Sequence, residues 1–323
     1  MQRLGLAAIL PIVIAIVPLC DCSGGAPAAA AVAPAARENT SRTVLPLHRT
    51  FKFKTVVDPA DSTFNELLGI NDGRTTAGFY GSGLAGHPNQ GYTAVPDFEQ
   101  RDFTSENFPG SVQTQVTAIN NLGDTAGSWV DGNGTIHGFI EWDGAFTSYD
   151  DPMAVGGTEI LGLNDHGVAV GFYVGSSGSR NGFILDNGTF TTVSQPGATS
   201  LTLAGVNDDG DLAGYYSTGS SQSVGFLSKG STSYTISYPQ SILTRARGVN
   251  AHDAVVGDYV DAYGKQHGFV VMHPTNGPQW QSIDAPKGVG TTTINGVNDR
   301  VNMVGYYVDT SGSTDGVLVE RLR

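Results

Sequence analysis

The sequence predicts an all-β fold, a six-bladed β-propeller of four-stranded antiparallel blades closed by its own N-terminal strand, and three observations predict it. A unit of roughly 45 residues recurs six times in constant register, the size of one propeller blade. Abundant Gly, Thr, Ser, Val and Tyr favour strands joined by tight turns over helices. The last copy stops after its third strand, while an isolated fourth-strand sequence stands at the opposite end of the repeat region.

The first strand of each unit ends in a small residue, an aliphatic and an asparagine, namely Asn71, Asn120, Asn164, Asn207, Asn250 and Asn298. Turn residues such as those at 164–167 and 207–210 lead into a second strand carrying a glycine seven residues after each Asn: Gly78, Gly127, Gly171, Gly214, Gly257 and Gly305. Two residues beyond each stands an aromatic: Tyr80, Trp129, Tyr173, Tyr216, Tyr259 and Tyr307. The third strand begins near a further glycine, Gly91, Gly138, Gly182, Gly225, Gly268 or Gly316. A hairpin signal such as Asp186-Asn187-Gly188 joins it to the fourth, which an aromatic and a downstream proline mark, as in Phe190 and Pro196. Pairing residues 53–58 with residues 316–322 completes the sixth blade and covers edges that would otherwise invite aggregation.

These repeats resemble the HAF-type extracellular repeat family of secreted bacterial proteins. His137-Gly138-Phe139, His267-Gly268-Phe269 and Ser282-Ile283-Asp284-Ala285-Pro286 carry the resemblance, which extends over residues 45–323. It implies an extracellular location and a repeat architecture, with no established activity or catalytic residues.

Residues 1–22 read as an export signal, with Arg3 ahead of an apolar run at 6–19 and an Ala-rich stretch at 26–36. That run is shorter than the ~20 residues a spanning helix needs. Cys20 follows Val17-Pro18-Leu19 in a lipobox-like setting; lipid attachment at Cys20 and cleavage in the Ala-rich stretch are the two alternatives. Residues 23–44, rich in Ala, Pro, Ser and Thr, read as a flexible spacer, and residues 45–323 as the propeller. Both cysteines, Cys20 and Cys22, precede the folded part, which therefore rests on packing without a disulfide.

Seventeen Lys and Arg stand against 30 Asp and Glu, a net charge of −13 that disfavours nucleic acid as a partner. The chain lacks a Gly-x-Ser-x-Gly elbow, a His-Glu-x-x-His pair and a phosphate-binding Gly-rich loop. Enzymatic activity is not expected, although a hydrolase or lyase using carboxylates from separate strands would leave no linear signature. No cofactor is expected.

A residue shared by six blades serves the blade, so function belongs where copies differ. Loops between second and third strands, and those running from each proline to the next Asn, share one face, here termed the loop face. Its expected ligand-facing residues are the aromatics Tyr80, Trp129, Tyr173, Tyr216, Tyr259 and Tyr307 with the carboxylates Asp131, Asp261 and Asp309. Such a ring suits a saccharide, whereas inter-blade packing for the aromatics and a solvated rim for the acids are the plainer alternatives. The outstanding departures from the repeat are residues 81–90, 93–101 and 273–279. Asp208, Asp209 and Asp211 offer oxygen ligands for calcium, although the same letters form an ordinary β-turn. The functional expectation is a monomeric extracytoplasmic binding module for a saccharide or a surface protein, with a polysaccharide hydrolase or lyase and a structural envelope protein as alternatives.

Overall fold

Six four-stranded sheets follow one another along the chain, and each is one blade. The structure, a computed structural model, describes residues 50–219 and 222–322. The expected export signal, the spacer, Cys20 and residues 45–49 lie outside the described residues.

Strand β1 (Phe51–Val56) comes first. Blade 1 is β2 (Asn65–Ile70), β3 (Thr76–Tyr80), β4 (Gln90–Ala94) and β5 (Phe103–Ser105). Blade 2 is β6 (Gln113–Ile119), β7 (Thr125–Val130), β8 (Ile136–Trp142) and β9 (Ala145–Tyr149). Blade 3 is β10 (Thr158–Leu163), β11 (Ala169–Val174), β12 (Arg180–Asp186) and β13 (Thr189–Thr192). Blade 4 is β14 (Ser200–Val206), β15 (Leu212–Ser217), β16 (Ser223–Lys229) and β17 (Thr232–Ile236). Blade 5 is β18 (Leu243–Val249), β19 (Val255–Val260), β20 (Gln266–Met272) and β21 (Gln279–Ile283). Blade 6 is β22 (Thr292–Val297), β23 (Met303–Val308) and β24 (Thr314–Arg321), and β1 completes it, antiparallel to β24 from Phe51↔Arg321 to Val56↔Gly316. The expected closure therefore holds, with the closing strand two residues earlier than the aromatic pattern indicated.

One irregularity explains much of the repeat. In every blade the pairing of the first two strands skips one residue, at Leu68, Thr117, Leu161, Ala204, Arg247 and Asn295. Beside this bulge the first strand's backbone presses against its partner. A Cβ on Gly78, Gly127, Gly171, Gly214, Gly257 or Gly305 would overlap the carbonyl oxygen of Glu66, Gln115, Glu159, Thr202, Arg245 or Thr293, so this position admits only glycine.

The recurrent Asn has two tasks. Its Oδ1 accepts backbone amides of its own turn, as Asn164 does from His166 and Val168, which is the expected Asx-turn. Its Nδ2 donates to the carbonyl oxygen of the corresponding Asn in the next blade at 2.9–3.3 Å, and six such bonds close a ring about the axis. Between blades lie the apolar clusters, such as Val256, Val270, Ile283, Ile294, Met303 and Val317, all essentially buried. Gly162, Gly205 and Gly248 meet nearly back to back there, where a Cβ on one would stand 3.0–3.1 Å from backbone atoms of the next blade.

Candidate binding clefts between blades

On the loop face the expected ligand groups serve the framework. Asp131 Oδ1 accepts the amides of Asn133 and Thr135 at 2.8 Å, and Asp261 Oδ1 those of Tyr263 and Lys265 at 2.8 and 2.9 Å. Asp309 Oδ1 accepts those of Ser311 and Ser313 at 2.8 and 3.0 Å. These bonds hold each carboxyl below its ordinary range, the Thr135 amide foremost for Asp131, the Lys265 amide for Asp261 and the Ser311 hydroxyl for Asp309.

Nor do the aromatics present a free ring face. Trp129 is stacked between Phe108, at 4.1 Å, and His137, at 4.4 Å, and Tyr259 between Tyr238 and His267. The two histidines bond Asp150 and Asp284 at 2.9 and 2.7 Å. Tyr173 and Tyr307 are buried. Tyr80 and Tyr216 pack partly buried against the clusters of blades 1 and 4. The nine residues therefore do not converge on one pocket.

The departures from the repeat divide between the faces. Residues 81–89 join β3 to β4 on the loop face, where Ser82 and His87 meet at 2.9 Å and His87 contacts Asp61 at 2.5 Å. Residues 95–102 and 273–278, by contrast, join third to fourth strands and so lie on the opposite face, together with the Asn turns. There Asp208 accepts the Asp165 amide at 2.9 Å and Asp211 pairs with Lys229 at 2.8 Å, with Asp209 between them. Among the described residues no three His, Cys, Asp or Glu side chains are grouped to hold a metal ion.

Among the described residues, two clefts of ligand size open on the turn face. The first, about 430 Å³, lies between blades 2 and 3 and is lined by Trp142, Tyr149, Asp124, His166 and Asn187, among others. Trp142 ends β8 and rests partly buried on the cluster of Ile140, Leu163 and Leu185, with the rest of its surface open. Gly167, at φ +79°, makes room for it, since a Cβ there would sit 3.1 Å from the ring. At the corresponding position other blades carry Val95, Asp186, Lys229, Met272 and Glu320. Reading along the sequence missed Trp142, although this departure from the repeat was its visible signal.

The second cleft, about 670 Å³, lies between blades 6 and 1 and is lined by Arg74, Arg300, Asn302, Glu320 and Arg321. Arg74 Nη1 donates to Glu320 Oε1 at 2.7 Å.

The axis itself is too narrow for a ligand of that size. Its cavity beside the bulged residues measures about 110 Å³. Buried near it in blade 5, Asp258 receives Arg245 Nη2 at 2.7 Å and Arg247 Nε at 2.6 Å. Burial alone would raise the Asp258 pKa, but the two guanidiniums hold it below the ordinary range. In blade 1 the register position of Arg245 is occupied by Glu66, whose burial pushes its pKa up to about 8 despite the Arg247 charge.

No protein-family model and no curated protein matches the chain. Among solved structures it is similar to a putative TolB from Agrobacterium tumefaciens, at 12% identity and TM-score 0.52, over 87% of this chain and 94% of that one. TolB from Acinetobacter baumannii is similar at 9% identity and TM-score 0.52, over 77% of this chain and 64% of that one. A fungal lectin from Aleuria aurantia, described as a six-bladed β-propeller, is similar at 10% identity and TM-score 0.48, over 79% and 89%. Likeness at such identities concerns the fold, and with six four-stranded blades closed in a ring, this chain is a six-bladed β-propeller.

Proposed function

We propose that the protein is an exported binding module that takes a saccharide in the cleft between blades 2 and 3. One observation carries this reading: a partly open Trp142 ring lines one cleft together with Tyr149, Asp124, Asp165, His166 and Asn187. A sugar presents an apolar C–H face that an aromatic ring covers and hydroxyls that carboxylate and amide oxygens accept, so this combination suits it. The apolar segment at 6–19 and the resemblance to HAF-type repeats support export.

The test is isothermal titration of the full chain with neutral and acidic oligosaccharides, repeated with Trp142→Ala. Binding that weakens about tenfold or more in the variant, the size of a lost hot-spot contact, supports the site. Saccharide binding unaffected by the substitution would overturn it.

A surface protein is the second reading, and a separate observation favours it. Of the ten large apolar side chains exposed among the described residues, seven stand on the loop face: Leu84, Val112, Met153, Val155, Ile242, Tyr263 and Val289. An apolar set concentrated on one face is what a protein partner covers. Retention of a partner by Trp142→Ala and its loss on Val155→Asp would mark this second use.

A further inference from the structure

We propose that the cleft between blades 6 and 1 is an oxyanion site, taking the phosphate, sulfate or carboxylate group of a small molecule. The chain carries a net charge of −13, yet three arginines line this one cleft, with Glu320 as the only acid among the described residues that line it. Glu320 is engaged by Arg74 at 2.7 Å, with Lys52 at 3.9 Å. Arg300 and Arg321 are exposed, and among the described residues neither guanidinium has a hydrogen-bond or ion-pair partner. Two unneutralised guanidinium forks in one concave site match the planar, bidentate geometry of an oxyanion.

The equivalent places elsewhere in the ring show that this charge is not a property of the repeat. Between blades 4 and 5, Lys229 is neutralised by both Asp211 and Asp253. Between blades 2 and 3, Asp124 and Asp165 line the cleft instead. Arg74 sits at φ +66° at a turn position that blades 2, 3 and 4 fill with Gly123, Gly167 and Gly210 and blades 5 and 6 with Asp253 and Val301 at φ +60°, so the backbone belongs to the repeat and the guanidinium is particular to this cleft. The cleft, at about 670 Å³, accepts a small molecule. The chain's overall negative charge repels polyanions and anionic membrane surfaces, which favours a small ligand.

The experiment is isothermal titration of the full chain with inorganic phosphate, sulfate and citrate at constant ionic strength, with chloride as the reference. Saturable binding of one of these anions is expected, and the one preferred identifies the group recognised. Arg300→Ala and Arg321→Ala should each weaken it about tenfold, the loss of a charge-assisted hydrogen bond. Glu320→Gln should tighten it by removing the competing carboxylate. Both arginines are exposed, so an unchanged circular dichroism spectrum separates lost binding from lost folding. Heats no larger than those of chloride for all three anions would overturn the proposal, as would affinity that survives both arginine substitutions.

Discussion

The cleft between blades 2 and 3 and the cleft between blades 6 and 1 are one place in the repeat, built twice with opposite chemistry. Gly167 corresponds to Arg74, Leu122 to Arg300, Asp124 to Asn302, Trp142 to Glu320 and Asp143 to Arg321. In the first, a missing side chain leaves room for an indole ring. In the second, an arginine occupies that room and reaches a glutamate. The backbone beneath is the same Asn turn in both, bonded to the neighbouring turn by the same Asn Nδ2. A repeat of this kind separates two demands: the Asn ring, the bulge and its glycine hold the frame, and positions that touch none of these are free to change chemistry.

The largest expected effect tests the frame. Asp258 lies fully buried between Arg245 and Arg247, so Asp258→Ala leaves two buried guanidiniums without their shared carboxylate. Breaking a buried pair from one side costs about 3–5 kcal/mol. Thermal unfolding should shift down by roughly 6–15 °C, and binding at both clefts should fail together near the new midpoint. Loss at one cleft only would show that the clefts do not share a single frame.

A second effect follows from unlike residues at one register position. Glu66 stands in blade 1 where Arg245 stands in blade 5, and burial raises its pKa from 4.5 to about 8. The fold thus favours the protonated acid. Its contribution is complete below about pH 4.5 and is lost as pH climbs through 8, a change of a few kcal/mol. Glu159, pushed up to about 7, and Glu106, to about 6, both by burial, act in the same direction. Urea unfolding at pH 5 and pH 8 should show the higher stability at pH 5, and Glu66→Gln, which mimics the neutral acid, should flatten the difference. An undiminished slope in that variant would assign the effect to other groups.

The blades and their closure were legible because their signals are local and recur at fixed spacing. Gly78 and its five counterparts announce a position that tolerates no Cβ, even before the bulge that makes it so is known. The Asn turn was legible for the same reason, but only half of its role, because the partner of each Nδ2 lies 43–49 residues away in five of the six bonds and at the far end of the chain in the sixth. The sites were the least legible. Asp131 and Asp261 have the letters of a ligand rim, yet their oxygens are occupied by amides two and four residues on. Residues 93–101 and 273–279 read as departures on the loop face, yet the β4–β5 and β20–β21 pairings put both connections on the opposite face. Trp142 belongs to no repeated motif, and its value as a platform depends on Gly167 in the next blade, a contact that spacing along one strand does not reveal.

The smallest effect on folding, and the most direct on the comparison, comes from exchanging the position that distinguishes the two clefts. Gly167→Arg gives the cleft between blades 2 and 3 the residue that Arg74 supplies between blades 6 and 1. The host backbone has φ +79°, close to the +66° that Arg74 already adopts, so the strain is of order 1 kcal/mol and the ring should stay closed. The new side chain must share space with Trp142, because even a Cβ there stands 3.1 Å from the indole. Saccharide affinity should therefore fall about tenfold or more, while oxyanion binding at the other cleft is unchanged. The variant should not acquire an oxyanion site in exchange, because Leu122 supplies no second guanidinium and Asp124 and Asp165, which line the cleft with Gly167, would compete for the new one. If it did bind phosphate as the cleft between blades 6 and 1 is expected to, a single arginine on this turn would suffice. The unpaired forks of Arg300 and Arg321 would then lose their place in the account.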